Sequence, residues 1–488
     1  MRKNFSSRAV ATLLWVSFPV ALASFVHQIT AGPSTLSIAS LRLFDVDLSL
    51  ALRLDPLSTV VFLMVSLLAA VVGQYALRYL DGDARQWPFF RALLPTVAAV
   101  FLLVLSSNLV MFVAAWLAMS AGLHRLLVLH PDRPAAVYAA RKKFLVSRLG
   151  DAALLVAVAL IYRLFGTFDF GEIFARLDAA AMTFGADERW QLSLAAALLA
   201  AGAMTKSVQV PFHFWLPETM ETPTPVSALM HAGIINAGGF LVLRLSPLIS
   251  HAEIASAMLA TAGALTAVYG ALVMATQNNI KSKLAYSTIS QMGMMMFACG
   301  IQAYAFALFH IVAHSFYKAH AFLSTGTLVD ERRRLNLPPT ASGTTTCLVV
   351  VVAGYALIGF GVYWQNAAHL AGLTYVSVLL IGLSQNVGIA LRKSAWTSVA
   401  VLGALVAASA AYILMEAALG QFVPIEAANP VGPIVNLIAF SVFAAGLFLN
   451  RMLVVQRSEL SRRIYMALWN GGYLGNLSTR ALSRVWPA

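Results

Sequence analysis

The sequence predicts an all-α polytopic membrane protein, and three observations carry that prediction. Of its 488 residues 60% are hydrophobic and 11% charged, with a mean hydropathy of +0.78, well outside the composition of a soluble globular chain. About fourteen apolar runs are each long enough to cross a bilayer, which takes roughly 17–25 helical residues. Lysine and arginine fall in every second loop, the pattern that orients a multi-pass protein.

In chain order the runs occupy residues 10–30, 56–78, 89–105, 107–129, 144–164, 191–208, 225–245, 251–275, 282–300, 304–328, 344–362, 372–391, 396–417 and 431–452. Only Ser106, Ser107 and Asn108 separate the third from the fourth, so the expected count is about 13–14 spans. The first run follows Arg2, Lys3 and Arg8 with no obvious small-residue cleavage site. It is therefore read as a span rather than a signal peptide.

The basic loops carry Arg78, Arg85 and Arg91, then Arg133, Arg141, Lys142, Lys143 and Arg148, then Lys281 and Lys283, Arg332 to Arg334, and Arg392 with Lys393. Both tails are basic too, which predicts cytoplasmic termini. A formal charge of +13 would suggest nucleic acid in a soluble protein. Here it is a topology signal, and the expected partner surface is the lipid bilayer. Cys299 and Cys347 lie in apolar runs without metal-ligand spacing, so neither a disulfide framework nor an iron–sulfur site is indicated. The TKS at Thr205 to Ser207 lacks the glycine of a phosphate-binding loop. The 165–190 segment and the tail after Arg451 are too short to bury cores of their own, which leaves 1–488 as a single membrane domain.

The chemistry-bearing residues sit inside the membrane runs. From Gly202 to Arg244 an apolar helix ends at Lys206, close-spaced prolines including Pro211 and Pro217 follow, and a second apolar run begins. Proline removes a backbone donor and clashes with the preceding turn, so a broken helix is expected here. Irregular backbone survives at membrane depth only where protein or a wet cavity surrounds it. An intramembrane lysine costs about 2.5–3.5 kcal/mol on insertion scales and marks a functional site by default; the alternative is a lysine snorkelling to the headgroups. Glu218 and Glu221 are the acids nearest in sequence and the candidate counter-charges for Lys206, the alternative being that they are simply solvated.

At 304–330, His310, His314 and Lys318 recur every four residues and so share one helix face. His310 and His314 have the spacing of a zinc pair, but Ile311 stands where an HExxH motif has glutamate. A metal site, a hydrogen-bonded structural pair and a hydrated proton path are the open readings. Between the two clusters, Lys281 and Lys283 stand at the edge of a span that carries Ser287, Thr288, Ser290 and Gln291.

These residues carry a resemblance. KxxQxPxxxWLPExMxxPTPVSALxHAG at Lys206 to Gly233, IKSKLAYSTISQMG at Ile280 to Gly293 and FHIVAHSFYKAHAFLSTG at Phe309 to Gly326 resemble the proton-translocating antiporter-like subunits of respiratory complex I and the Mrp antiporters. FLVSRLGD at Phe144 to Asp151 and LDPLSTVVFLMVS at Leu54 to Ser66 match the largest such subunit. The resemblance implies two inverted five-helix repeats with broken helices, here 85–245 and 246–395, followed by C-terminal helices and a basic tail at 396–488. It also implies an ion path through Lys206, His231, Lys281, Lys283, His310, His314 and Lys318.

The departures are informative. Where the family has a glutamate paired with the central lysine, the 107–129 run reads Trp116, Leu117, Ala118, Met119, Ser120, without an acid. The second break, near 344–370, is degenerate: Gly359 to Leu370 reads GFGVYWQNAAHL. The long lateral C-terminal helix of the family is missing as well. This shortened pattern is similar to the membrane subunits of the two-component DAB inorganic-carbon accumulation systems of bacteria. That likeness implies an ion-conducting subunit, for H⁺ or Na⁺, that powers CO2 hydration to bicarbonate in a DabA-like large soluble partner. It places zinc in the partner and neither cofactor nor enzymatic activity in this chain. The alternatives are a proton-translocating subunit of a complex I-like NADH dehydrogenase or Mrp-type antiporter, and a non-conducting scaffold.

Overall fold

A computed structural model describes residues 2–43, 46–180, 184–325, 344–363, 373–378, 381, 432–455 and 458–485. Most of the expected 372–391 span, the whole of 396–417, and residues 364–370 of the expected second break lie outside them. The chain divides into two compact units. Unit 1 comprises Met1–Val208, Trp215–Ala252 and His310–Ser324; unit 2 comprises Gln209–Phe214, Glu253–Phe309 and Thr325–Ala488.

In unit 1, helix α1 (Arg2–Ala31) leads into an antiparallel hairpin of β1 (Ser34–Leu43) and β2 (Val46–Leu54), paired from Ser34↔Leu54 to Leu43↔Val46 with an irregularity between Ser37 and Ala39. The helical class holds with this one addition. Alternation in SIASLRL and VDLSLALRL is the period-two signal that marks the hairpin. Helix α2 (Pro56–Tyr79) starts where proline suits the first turn and Asp55 Oδ1 accepts from the Ser58 amide at 2.8 Å. Helices α3 (Gln86–Leu105) and α4 (Leu109–Leu127) follow. They are separated at Asn108, which caps α4 by accepting from the Met111 amide at 2.8 Å.

Helix α5 (Pro134–Phe165) has 32 residues and ends at Gly166, whose φ of +65° suits a residue without a β-carbon. It begins ten residues before the expected span at 144. Lys142 and Lys143, expected in a basic loop, are buried on it. The cause is amphipathic: 134–143 extends the helix with alanines inward at Ala136, Ala139 and Ala140. Helix α6 (Phe170–Ala180), α7 (Ala186–Lys206), α8 (Thr224–Ala232), α9 (Ala237–Arg244) and the short α10 (Ser246–Ser250) complete the run to 252. Close backbone approach fixes α5, α7 and α9. A β-carbon on Gly150 would stand 1.9 Å from Thr205 Oγ1, and one on Gly238 2.4 Å from the Ala203 carbonyl oxygen.

Unit 2 contains α11 (Glu253–Thr276) and α12 (Ile280–Gly300); α13 (Tyr304–Leu323) belongs to it up to Phe309 and to unit 1 from His310. It also contains α14 (Thr344–Tyr363), α15 (Pro433–Val455), α16 (Glu459–Trp469) and α17 (Leu474–Val485). Glycines seven apart, Gly263 and Gly270 on α11 and Gly293 and Gly300 on α12, meet the facing backbone, where added β-carbons would lie 2.1–2.5 Å from main-chain nitrogens. Small residues at such a seam let helices in lipid approach closely enough for dispersion to hold them. Among the described residues eight helical segments are long and apolar enough to cross a membrane, one of them Thr224–Arg244, which α8 and α9 make up together. Helices α7, α12 and α13 match them in length, with 21, 21 and 20 residues, but carry charged or imidazole side chains.

Candidate ion path

The expected break is present. Helix α7 stops at Lys206, and an irregular segment with a cis Val210–Pro211 bond and a 3-10 turn at Thr219–Glu221 runs to α8. Pro211 and Pro217 both lie in this segment. Buried Val208 takes φ +49°, a left-handed conformation that costs a β-branched residue about 1–3 kcal/mol and is found mostly at functional sites.

Lys206 is buried, and its Nζ has no hydrogen-bond partner among the described residues. It lies 4.5 Å from the ring centroid of Trp116 on α4, a cation–π arrangement. The Trp116 Nε1 donates to Asp151 Oδ1 on α5 at 2.9 Å, and Asp151 Oδ2 pairs with Arg148 at 2.5 Å. An acid therefore reaches the lysine's surroundings from α5 through the indole. Glu218 and Glu221, the sequence candidates for this role, are held elsewhere: Glu218 accepts from buried Lys142 at 2.5 Å and Glu221 pairs with Arg133 at 3.4 Å. Buried Lys143 donates to the Ser120 carbonyl and hydroxyl at 2.7 and 2.9 Å, and the charges of Lys206 and Asp151 act on it.

The second group lies on α8 and α13. His231, His314 and Lys318 are buried; the His231 ring stacks on Phe322 at 4.4 Å. Rings of His310 and His314 lie 5.8 Å apart and nearly parallel. Lys318 acts electrostatically on both His231 and His314, and the His231 backbone hydrogen-bonds the His314 imidazole. His231, His314 and Lys318 thus form one cluster, with His310 at its edge.

Residues adjacent in sequence to both groups tie their helices together within unit 1. Ser207 Oγ donates to the Ile235 carbonyl at 2.7 Å, and Asn236 Nδ2 donates to Ser315 Oγ on α13 at 2.7 Å. The 3-10 turn Ile234–Asn236 between α8 and α9 is what turns these groups toward α7 and α13. Lys281 and Lys283 lie in unit 2, in the first turn of α12, where Asn279 accepts from the Lys281 amide at 2.8 Å. Both are half-buried. Among the described residues no three His, Cys, Asp or Glu side chains gather as a metal site.

Sequence reasoning passed over Trp116, Ser120, Lys143, Asp151, Asn236 and Ser315. Asp151 had a visible signal, since it is an acid within an apolar run three residues after Arg148, the spacing at which helical side chains meet. Lys143 had none, because its basic neighbours make it look like part of a loop.

Residues 106–340 match the family described as NADH:quinone oxidoreductase/Mrp antiporter, TM, and residues 41–90 match NADH-ubiquinone oxidoreductase (complex I), chain 5 N-terminus. The chain is 36% identical over 456 residues to the probable inorganic carbon transporter subunit DabB2 of Halothiobacillus neapolitanus, a match spanning 90% of this chain and 81% of that one. To the probable inorganic carbon transporter subunit DabB of Hydrogenovibrio crunogenus it is 35% identical, over 88% and 82% of the two chains. A chain in the structure of the Mrp complex from a Dietzia species superposes with a TM-score of 0.59 at 25% identity, over 99% of this chain and 55% of that one. The chain belongs to the antiporter-like membrane subunits of the NADH:quinone oxidoreductase and Mrp family, within its DabB inorganic carbon transporter group.

Proposed function

We propose that this chain is the ion-conducting subunit of an energy-coupled inorganic carbon pump, carrying H⁺ or Na⁺ down its gradient. The observation that carries the reading is Lys206: a buried ammonium at a helix break without a hydrogen-bond partner among the described residues, on a helix that Ser207 ties to the 234–236 turn and that turn, through Asn236, to α13. Lysine and histidine in such surroundings exchange protons and have no use in a purely apolar packing role. Coupling is energetically adequate, since one charge crossing 100 mV releases about 2.3 kcal/mol. On this reading 85–245 and 246–395 are the two antiporter-like repeats, and both termini face the cytoplasm of a bacterial inner membrane.

The zinc chemistry of CO2 hydration belongs to a large soluble partner of the DabA type. The relatives' names, probable inorganic carbon transporter subunits, support this reading over a respiratory or Mrp-type role. Affinity purification of the chain from its native membrane tests it. A co-purifying soluble protein with stoichiometric zinc is the expected result; recovery within a quinone-reducing or multi-subunit Mrp assembly overturns it.

A further inference from the structure

Unit 2 contains a hydrogen-bonded chain that the ion path leaves unused. Helix α11 presents Thr266 and Tyr269, with Gln277 just beyond its end. Thr266 Oγ1 accepts from the Val210 amide at 3.0 Å while donating to the Ala262 carbonyl at 2.6 Å. The Tyr269 hydroxyl donates to the Gly471 carbonyl at 2.9 Å and lies 3.1 Å from His213 Nε2. Gln277 Nε2 donates to the Trp469 carbonyl at 3.1 Å. Trp469 ends α16, where helix carbonyls lack helical partners, and Gly471 opens the 3-10 turn that follows, its carbonyl also accepting from the Leu474 amide. The docked turn is tightly specified: Gly471, Gly472 and Tyr473 all have left-handed φ, of +58°, +61° and +59°, and a β-carbon on Gly471 would stand 2.6 Å from the Tyr286 hydroxyl.

A phenol has one proton to donate. Tyr269 commits it to Gly471, so His213 must donate its Nε2 proton to the phenol oxygen. The Nδ1 of His213 is then the unprotonated nitrogen, buried and without a hydrogen-bond partner among the described residues. The C-terminal turn thereby sets the tautomer of a histidine in the break segment.

We propose that the C-terminal pair α16 and α17 is a latch on break segment 209–214, with Tyr269 as the positioning residue that joins them. Undocking the turn frees the Tyr269 proton, releases His213 from its fixed tautomer and loosens the segment that follows Lys206 in the chain. The consequence for ion flow rests on the role proposed for Lys206; the latch itself does not.

Hydrogen–deuterium exchange on the full-length protein in lipid nanodiscs tests it. Tyr269→Phe is expected to speed exchange roughly three- to tenfold in both 209–214 and 469–473, the effect of losing one hydrogen bond at each. Thr266→Val is expected to speed it in 209–214 alone. Gly471→Ala, which strains the turn and presses its new β-carbon on the Tyr286 hydroxyl while leaving every side chain of 209–214 and of α11 in place, is expected to speed exchange in 209–214 as well. In nitrogen-15 histidine spectra, with the His213 signal identified by its loss in His213→Gln, Gly471→Ala is expected to shift that signal from a pure Nε2–H tautomer to a mixture. Gly471→Ala that loosens 458–485 while leaving 209–214 and the His213 signal unchanged overturns the latch. Coupled exchange with unaltered inorganic carbon uptake supports the latch and counts separately against a role for the segment in ion flow.

Discussion

The indole of Trp116 donates to the carboxylate of Asp151 at 2.9 Å, and the same ring lies 4.5 Å from the Lys206 ammonium nitrogen. The 107–129 run that carries Trp116 has no acid, and the Asp151 carboxylate reaches the lysine's surroundings through the aromatic ring. Trp116→Phe keeps the cation–π surface but removes the donor that orients Asp151. It is expected to lower uptake of labelled inorganic carbon severalfold, while Asp151→Asn lowers it at least tenfold with assembly intact. Equal, negligible effects of both would detach the acid from the path.

Lys206 should tolerate neither alanine nor arginine. Alanine removes the titrating group, whereas a guanidinium keeps its charge and does not release a proton at any physiological pH. Both variants are expected to assemble with the partner and to lose uptake. Wild-type activity in Lys206→Arg would make the residue a fixed charge and end its assignment as a carrier.

How much of this was legible in the sequence differs by element. The broken helix was, because Pro211 and Pro217 beside Lys206 are local signals, and so were His310, His314 and Lys318, whose spacing places them on one face. The partners of Glu218 and Glu221 were not. Both acids are close to Lys206 in sequence, yet the turn at Thr219–Glu221 directs them to Lys142 and Arg133 on another helix. Sequence distance is a poor guide where the backbone leaves regular geometry. The hairpin β1–β2 was not legible either, because it is too polar to read as a span and the irregularity between Ser37 and Ala39 interrupts the period-two alternation of its first strand.

The Lys142–Glu218 pair gives a contrast to Asp151. Glu218→Gln leaves the buried Lys142 ammonium a neutral acceptor, which keeps a hydrogen bond but loses the opposite charge, a cost of about 1 kcal/mol. Lower thermal stability with a wild-type pH profile of uptake is expected. A shifted profile would return Glu218 to the ion path.

The histidine pair separates a proton path from a metal site. With Ile311 between His310 and His314 rather than an acid, and no third ligand nearby among the described residues, the purified chain is expected to bind less than stoichiometric zinc. His310→Ala and His314→Ala are each expected to reduce uptake. Zinc retained in a 1:1 ratio and lost on His310→Ala would reassign the pair to metal.

The glycine seam between α11 and α12 predicts opposite signs for one substitution at two helical glycines. Replacing helical glycine by alanine restricts the unfolded chain and favours the helix by about 0.5–1 kcal/mol where space allows. Around Gly359 on α14 a new β-carbon meets nothing within 4 Å, so Gly359→Ala should raise the unfolding temperature in detergent. At Gly293 the same carbon would lie 2.3 Å from the Ala267 nitrogen and 2.7 Å from the Gly263 carbonyl oxygen. Those are backbone atoms of the facing helix, which cannot swing aside as a side chain can. Gly293→Ala must push the helices apart along a seam that also holds the 2.8 Å bond from Ser290 Oγ to the Ala267 carbonyl, and overpacking of this kind costs about 1–3 kcal/mol. A lower unfolding temperature for Gly293→Ala and a higher one for Gly359→Ala is the expected pair of results; an increase in both would show that α11 and α12 do not meet backbone to backbone.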